Sequence, residues 1–133
     1  NSMKKVIWIF SLMLLILSGC VPKTEIESTF YGSIIVSPLV VNNGDEVTLK
    51  MGKYVGIIST ESSVNGKNIV ESIVYFIDGE ECASSSDEST DYTTTCILKD
   101  VAVGEHKITA TCIPSEGVKI EEHITPAKIS VIK

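Results

Sequence analysis

Four cysteines, two histidines and one serine-rich acidic run are the residues of this 133-residue chain whose types suit chemistry. Cys20, Cys82, Cys96 and Cys112 show neither C-x-x-C nor H-x-x-x-H spacing, so a zinc site is not expected. His106 and Cys112 stand six residues apart in one β-like run. That is about 20 Å along a strand, which rules out a Cys–His pair within it. His106 follows Gly104 at a turn, where its imidazole is expected to satisfy backbone groups, and His123 is expected to be an exposed strand residue. The serines lie in no G-x-S-x-G elbow. Asp87, Glu88 and Asp91 fall in Ser84–Asp91 without the spacing of a calcium loop, and a solvated loop is expected. Of four tyrosines, Tyr75 and Tyr92 fall in strands and should pack in or beside the core. Tyr54, in the 52–68 loop, is the aromatic to test for ligand contact. Nothing here makes an enzyme, and no cofactor is expected.

The N-terminus carries an address. Met3-Lys4-Lys5 precedes an apolar run, Val6 to Leu17, and Leu17-Ser18-Gly19-Cys20 closes it with small residues and a cysteine. Twelve residues span about 18 Å as a helix, short of a bilayer core of roughly 30 Å, so the run reads as a signal-peptide core. The ending L-S-G-C resembles the lipobox of bacterial lipoproteins. The resemblance implies cleavage before Cys20, diacylation of its thiol and acylation of the new amino terminus. More than one acyl chain makes membrane anchoring stable. Asn1 and Ser2 precede the expected initiator Met3 and are left out of this reading.

Charge narrows the partners. All 17 acidic residues follow residue 19, whereas Lys4 and Lys5 leave with the signal, so nine lysines and no arginine remain for a net charge of −8. Such a surface disfavours nucleic acid, whose phosphates require basic groups, and disfavours electrostatic docking on anionic lipid. Export to an oxidising compartment predicts a disulfide among Cys82, Cys96 and Cys112, with one thiol left over. The residues themselves leave all three pairings open.

The elements that must position these groups are short strands. Val21 to Thr29 is polar and proline-bearing and reads as a tether, giving residues 1–19 as signal, 20–29 as lipidated tether and 30–133 as domain. Glu46 to Met51 alternates Val47, Leu49 and Met51 with polar residues, as a half-buried strand does. Ile69 to Ile77 is apolar on both faces, which predicts a central strand, and Asp78-Gly79 after it predicts a two-residue hairpin turn. Tyr92 to Leu98 and His106 to Ile113 read as strands, and Pro126 interrupts the closing strand. About seven strands at this spacing predict an all-β antiparallel sandwich.

Val74 to Cys82 (V-Y-F-I-D-G-E-E-C), then Tyr92-x-Thr94-x-Cys96, then Val101-x-x-Gly104-x-His106-x-Ile108-x-Ala110 resemble the bacterial immunoglobulin-like modules. The likeness covers residues 70 to 112 best and lacks the tryptophan and cysteine pair of antibody-type domains. It implies an immunoglobulin-like β-sandwich. In that pattern Cys82 and Cys96 each replace an inward residue, which implies a Cys82–Cys96 bridge, with Cys96–Cys112 next in line, and Cys112 takes a small-residue position. The expected protein is a lipid-anchored lipoprotein of the bacterial cell envelope, at the periplasmic or surface face of the outer membrane. Its acyl chains engage the membrane, and its domain is a non-enzymatic binding or adhesion module for a protein or glycan. The alternative is an accessory subunit of an envelope complex or surface fibre.

Overall fold

In the computed structural model, residues 26–52, 56–59, 63–64 and 67–133 are described, and for 56–59, 63–64 and 67–68 the backbone alone. Twelve strands follow in order: β1 (Ile26–Ser37), β2 (Val40–Val41), β3 (Glu46–Met51), β4 (Gly56–Ser59), β5 (Ser63–Val64), β6 (Lys67–Asn68), β7 (Val70–Ile77), β8 (Glu80–Ser85), β9 (Thr94–Ile97), β10 (Gly104–Pro114), β11 (Val118–Thr125) and β12 (Ala127–Val131). A single 3₁₀ turn, Glu88–Thr90, lies between β8 and β9.

Two five-stranded sheets carry the fold. One runs β11-β1-β3-β9, with β4 also on β1, and the other runs β2-β12-β10-β7-β8. A hairpin of β5 and β6 stands apart. The inward residues of both sheets form one core. Phe30, Val47, Leu49 and Met51 come from the first, and Ile73, Tyr75, Ile108 and Ile129 from the second, each at most 1% exposed. Each such side chain contributes roughly 1.5–3 kcal/mol by leaving water.

The pairing is mixed rather than antiparallel throughout. β1 pairs with β11 in parallel, from Ile26↔Val118 to Ser33↔Thr125, and β2 pairs with β12 in parallel. These are the first two and last two strands among the described residues. No tight turn joins them, so nothing forces them to run in opposite directions. Each pair also changes sheet partway. The first does so around the cis Ser37–Pro38 bond, and the last around Pro126, whose missing N–H cannot continue a ladder. Sheet switching splits β1 from β2 and β11 from β12, and with β4, β5 and β6 this takes the described strands beyond seven.

Local chemistry explains other boundaries. β1 begins at Ile26, inside the stretch read as tether, and Ser28 is already buried there. Asp78 and Gly79 both take positive φ, 49° and 86°, the combination a two-residue turn between twisted strands demands. Tyr92 was expected in a strand, but Asp91 and Tyr92 are left-handed (φ 55° and 53°) and β9 starts only at Thr94. The strain at Tyr92 is held by its surroundings: its carbonyl accepts from Tyr75 Oη at 2.8 Å, and the Asp91 carbonyl accepts from Met51 N at 2.9 Å. Asn43 clamps the far end. Its Nδ2 donates to the carbonyls of Val101 and Lys133, and its Oδ1 accepts from Val101 N.

Candidate functional site

Cys20 and Tyr54 lie outside the described residues. The other cysteines are placed. Cys82 on β8 is bridged to Cys96 on β9, with Cα atoms 5.9 Å apart. β8 and β9 are edge strands of opposite sheets, so the bridge laces one open side of the molecule and closes the loop holding Ser84–Asp91. Within that loop Asp87 Oδ1 accepts from Ser89 N and Ser89 Oγ, which turns its carboxylate onto its own backbone. Among the described residues no group of three or more His, Cys, Asp or Glu side chains could hold a metal ion.

Cys112 is buried and unbridged. Beyond Ile108, β10 loses β12 as its neighbour, and Glu122 of β11 substitutes for the missing ladder. Its Oε2 accepts from Cys112 N at 2.7 Å and its Oε1 from Thr111 Oγ1 at 2.8 Å. Burial, then the Glu122 carboxylate, pushes the Cys112 thiol up to about 12. The thiolate is the reactive form, so this sulfur is inert. In the folded protein, Cys112 should give no appreciable reaction with an aromatic disulfide reagent at pH 8 over minutes. One fast equivalent should appear in guanidinium. Rapid labelling without denaturant would show that the core does not shield it.

The first candidate site is an open hollow of about 430 Å³ at one end of the molecule, bordered by Asp78, Glu81, Cys82, Cys96, Asp100 and His106. His106 Nε2 meets the Ala102 carbonyl, which can only accept, so that nitrogen carries a proton. Nδ1 faces Asp78 Oδ2, while Asp78 Oδ1 accepts from Lys107 N at 3.1 Å. With both nitrogens engaged and the side chain 12% exposed, the ring has no free lone pair for base catalysis. It is a brace between the β7–β8 turn and the 98–103 loop. Asp78, then Ala102, raises the His106 pKa, and His106, then Lys107 N, lowers that of Asp78.

The sign of the pH effect follows. The His106 contribution is complete below its unfolded value of about 6.5 and is lost as pH rises through the raised folded value. The Asp78 contribution is complete above 3.8 and is lost as pH falls through the lowered one. Wild-type thermal stability should therefore decline relative to His106→Gln as pH climbs from about 6 to 9. Parallel melting profiles for the two proteins would refute the brace.

The second candidate site is the outer face of the β1–β11 pair. Alternation puts Glu27, Thr29 and Tyr31 of β1 on one face, with Lys119, Glu121 and His123 opposite them in register. The Tyr31 and His123 rings stack, with centroids 5.0 Å apart and planes 13° from parallel. His123 Nε2 lies 3.3 Å from Glu121 Oε1. Tyr31 is 38% exposed. A hollow of about 610 Å³ adjoins them, lined among the described residues by Glu27, Ser28, Thr29, Lys119, Ile120 and Glu121. Ser28 Oγ, on the inward side of this strand, is buried with no hydrogen-bond partner among the described residues.

Sequence reasoning placed His106 at its turn and His123 on an exposed strand, but it found neither Asp78 as the partner of the one nor Tyr31 as the partner of the other. The Asp-Gly turn before a strand opening Gly-x-His was a usable signal for the first. No local signal announces the second, because the two rings meet only through the parallel pairing of β1 with β11. The chain matches no protein-family model, no curated protein and no solved structure.

Proposed function

We propose that this chain is a lipid-anchored protein of the bacterial envelope whose immunoglobulin-like β-sandwich is a non-enzymatic binding or adhesion module. One observation carries the fold half of that reading. The order β2-β12-β10-β7-β8 against β11-β1-β3-β9, with the first and last of these strands passing between the sheets, fits an immunoglobulin-type sandwich. Merging β1 with β2 and β11 with β12 reduces the two main sheets, β4 aside, to the expected seven strands. The anchor half rests on Leu17-Ser18-Gly19-Cys20. A bridged Cys82–Cys96 pair fits an oxidising compartment outside the cytoplasm.

A binding role is supported by what the described residues offer: exposed loops, an outward aromatic pair, and a histidine whose nitrogens are both committed to structure. Fold alone does not assign function, so the ligand must be sought at these sites. Mass spectrometry of the native protein tests the anchor: an acylated Cys20 at the mature terminus is expected, and an unprocessed, unmodified terminus refutes it. A glycan array with a pull-down from envelope extracts tests the module. One stoichiometric envelope protein and no glycan would point to an accessory subunit of a complex or fibre instead. Turnover of an ester, peptide or glycoside panel would refute the non-enzymatic reading.

A further inference from the structure

We propose that the outer face of the β1–β11 pair binds a neutral linear oligosaccharide lying along the strands, a pyranose ring packing on the Tyr31–His123 pair. This rests on the binding-module reading and names its ligand class.

Three successive rungs share that face: Tyr31 with His123, Thr29 with Glu121, and Glu27 with Lys119. Same-face rungs lie about 6.6 Å apart, so the three span about 13 Å, the reach of two to three pyranose units. The rungs differ in chemistry. The first is an exposed aromatic stack, able to meet the apolar C–H face of a sugar ring. The other two border the hollow and carry two carboxylates, a hydroxyl and an ammonium. Carboxylates accept from sugar hydroxyls, lysine donates to them, and the threonine hydroxyl does both. A broad apolar contact beside a few directional polar groups is how small-molecule sites combine affinity with orientation.

Glu121 joins the two halves, since it lines the hollow and holds His123 Nε2. Charge selects the ligand class. Two carboxylates to one ammonium, on a domain of net charge −8, repel a polyanion and leave a neutral glycan as the fitting occupant.

The test uses the full chain in detergent and three neutral probes, tri-N-acetylchitotriose, cellotriose and maltotriose, read by saturation-transfer NMR and titration. At least one is expected to bind, with affinity falling about tenfold or more in Tyr31→Ala and staying within about threefold in Tyr31→Phe. Glu121→Gln, a change at an exposed position, should weaken binding severalfold with an unchanged circular dichroism spectrum. It carries the test if Tyr31→Ala fails to fold. Binding indifferent to both Tyr31→Ala and Glu121→Gln overturns this site but not the module. The same holds if an envelope protein is captured while every trisaccharide fails. A tetralysine peptide competing the trisaccharides away, or binding in their place, assigns the face to cationic peptides and overturns the glycan.

Discussion

Leu49→Ala should destabilise the domain by about 2–5 kcal/mol and lower its melting temperature by roughly 10 °C or more. Leu49 is fully buried on β3, the strand flanked by β1 and β9 in the first sheet. It sits opposite Val36 on one side and Thr94 on the other, so hydrogen-bonded ladders hold the backbone on both flanks. A site pinned in this way cannot collapse around the missing atoms. The cavity cost therefore adds to the lost transfer free energy. Native domains hold only about 5–15 kcal/mol in total, so the effect is a large share of what keeps the chain folded. Ile97→Ala is the matched control, on β9 and 54% exposed, and should shift stability by no more than about 0.5 kcal/mol. Urea titrations followed by far-UV circular dichroism read both. A Leu49→Ala cost below about 1 kcal/mol would mean that the sheets do not share one tightly packed core.

Removing the Cys82–Cys96 bridge should cost about 3 kcal/mol, the second large effect. The cysteines are 14 positions apart, and closing a loop of that size restricts the unfolded chain by about that amount in the chain-entropy picture. A folded-state loss adds to it, because the bridge connects the two sheets at their open edges. Cys82→Ala combined with Cys96→Ala should lower the urea midpoint. Adding reductant to the wild type should reproduce the shift, and reductant should leave the double variant unmoved. Equal midpoints for oxidised and reduced wild type would show that the bridge adds nothing to the fold. Because Cys112 is buried at the Glu122 contact, reshuffling to Cys112 should not rescue the native state.

How far each feature could be read along the chain depends on the distance over which its cause acts. Glu46 to Met51 alternates every second residue, and β3 buries Val47, Leu49 and Met51 as that alternation requires. Asp78-Gly79 specifies its turn through two residues that tolerate positive φ. The burial of Tyr75 and Tyr92 was legible for the same local reason. The left-handed backbone of Tyr92 was not, since the groups bonded there are distant in sequence, Tyr75 Oη among them at 17 positions. The His106 brace depends on Asp78 at a separation of 28, and the β1–β11 pairing on residues about ninety positions apart.

By itself the chain of residues determined an all-β body with alternating half-buried strands and a strongly acidic composition without arginine. Each of these follows from composition or from a period of two, which short windows contain. Only the tertiary structure decided that β1 and β2 run parallel to β11 and β12 and exchange sheets with them, that Glu122 fills the ladder beside Cys112, and that Tyr31 stacks on His123. Those outcomes come from minimising exposed apolar area and unpaired backbone groups across the whole body at once. No stretch of ten residues contains that information.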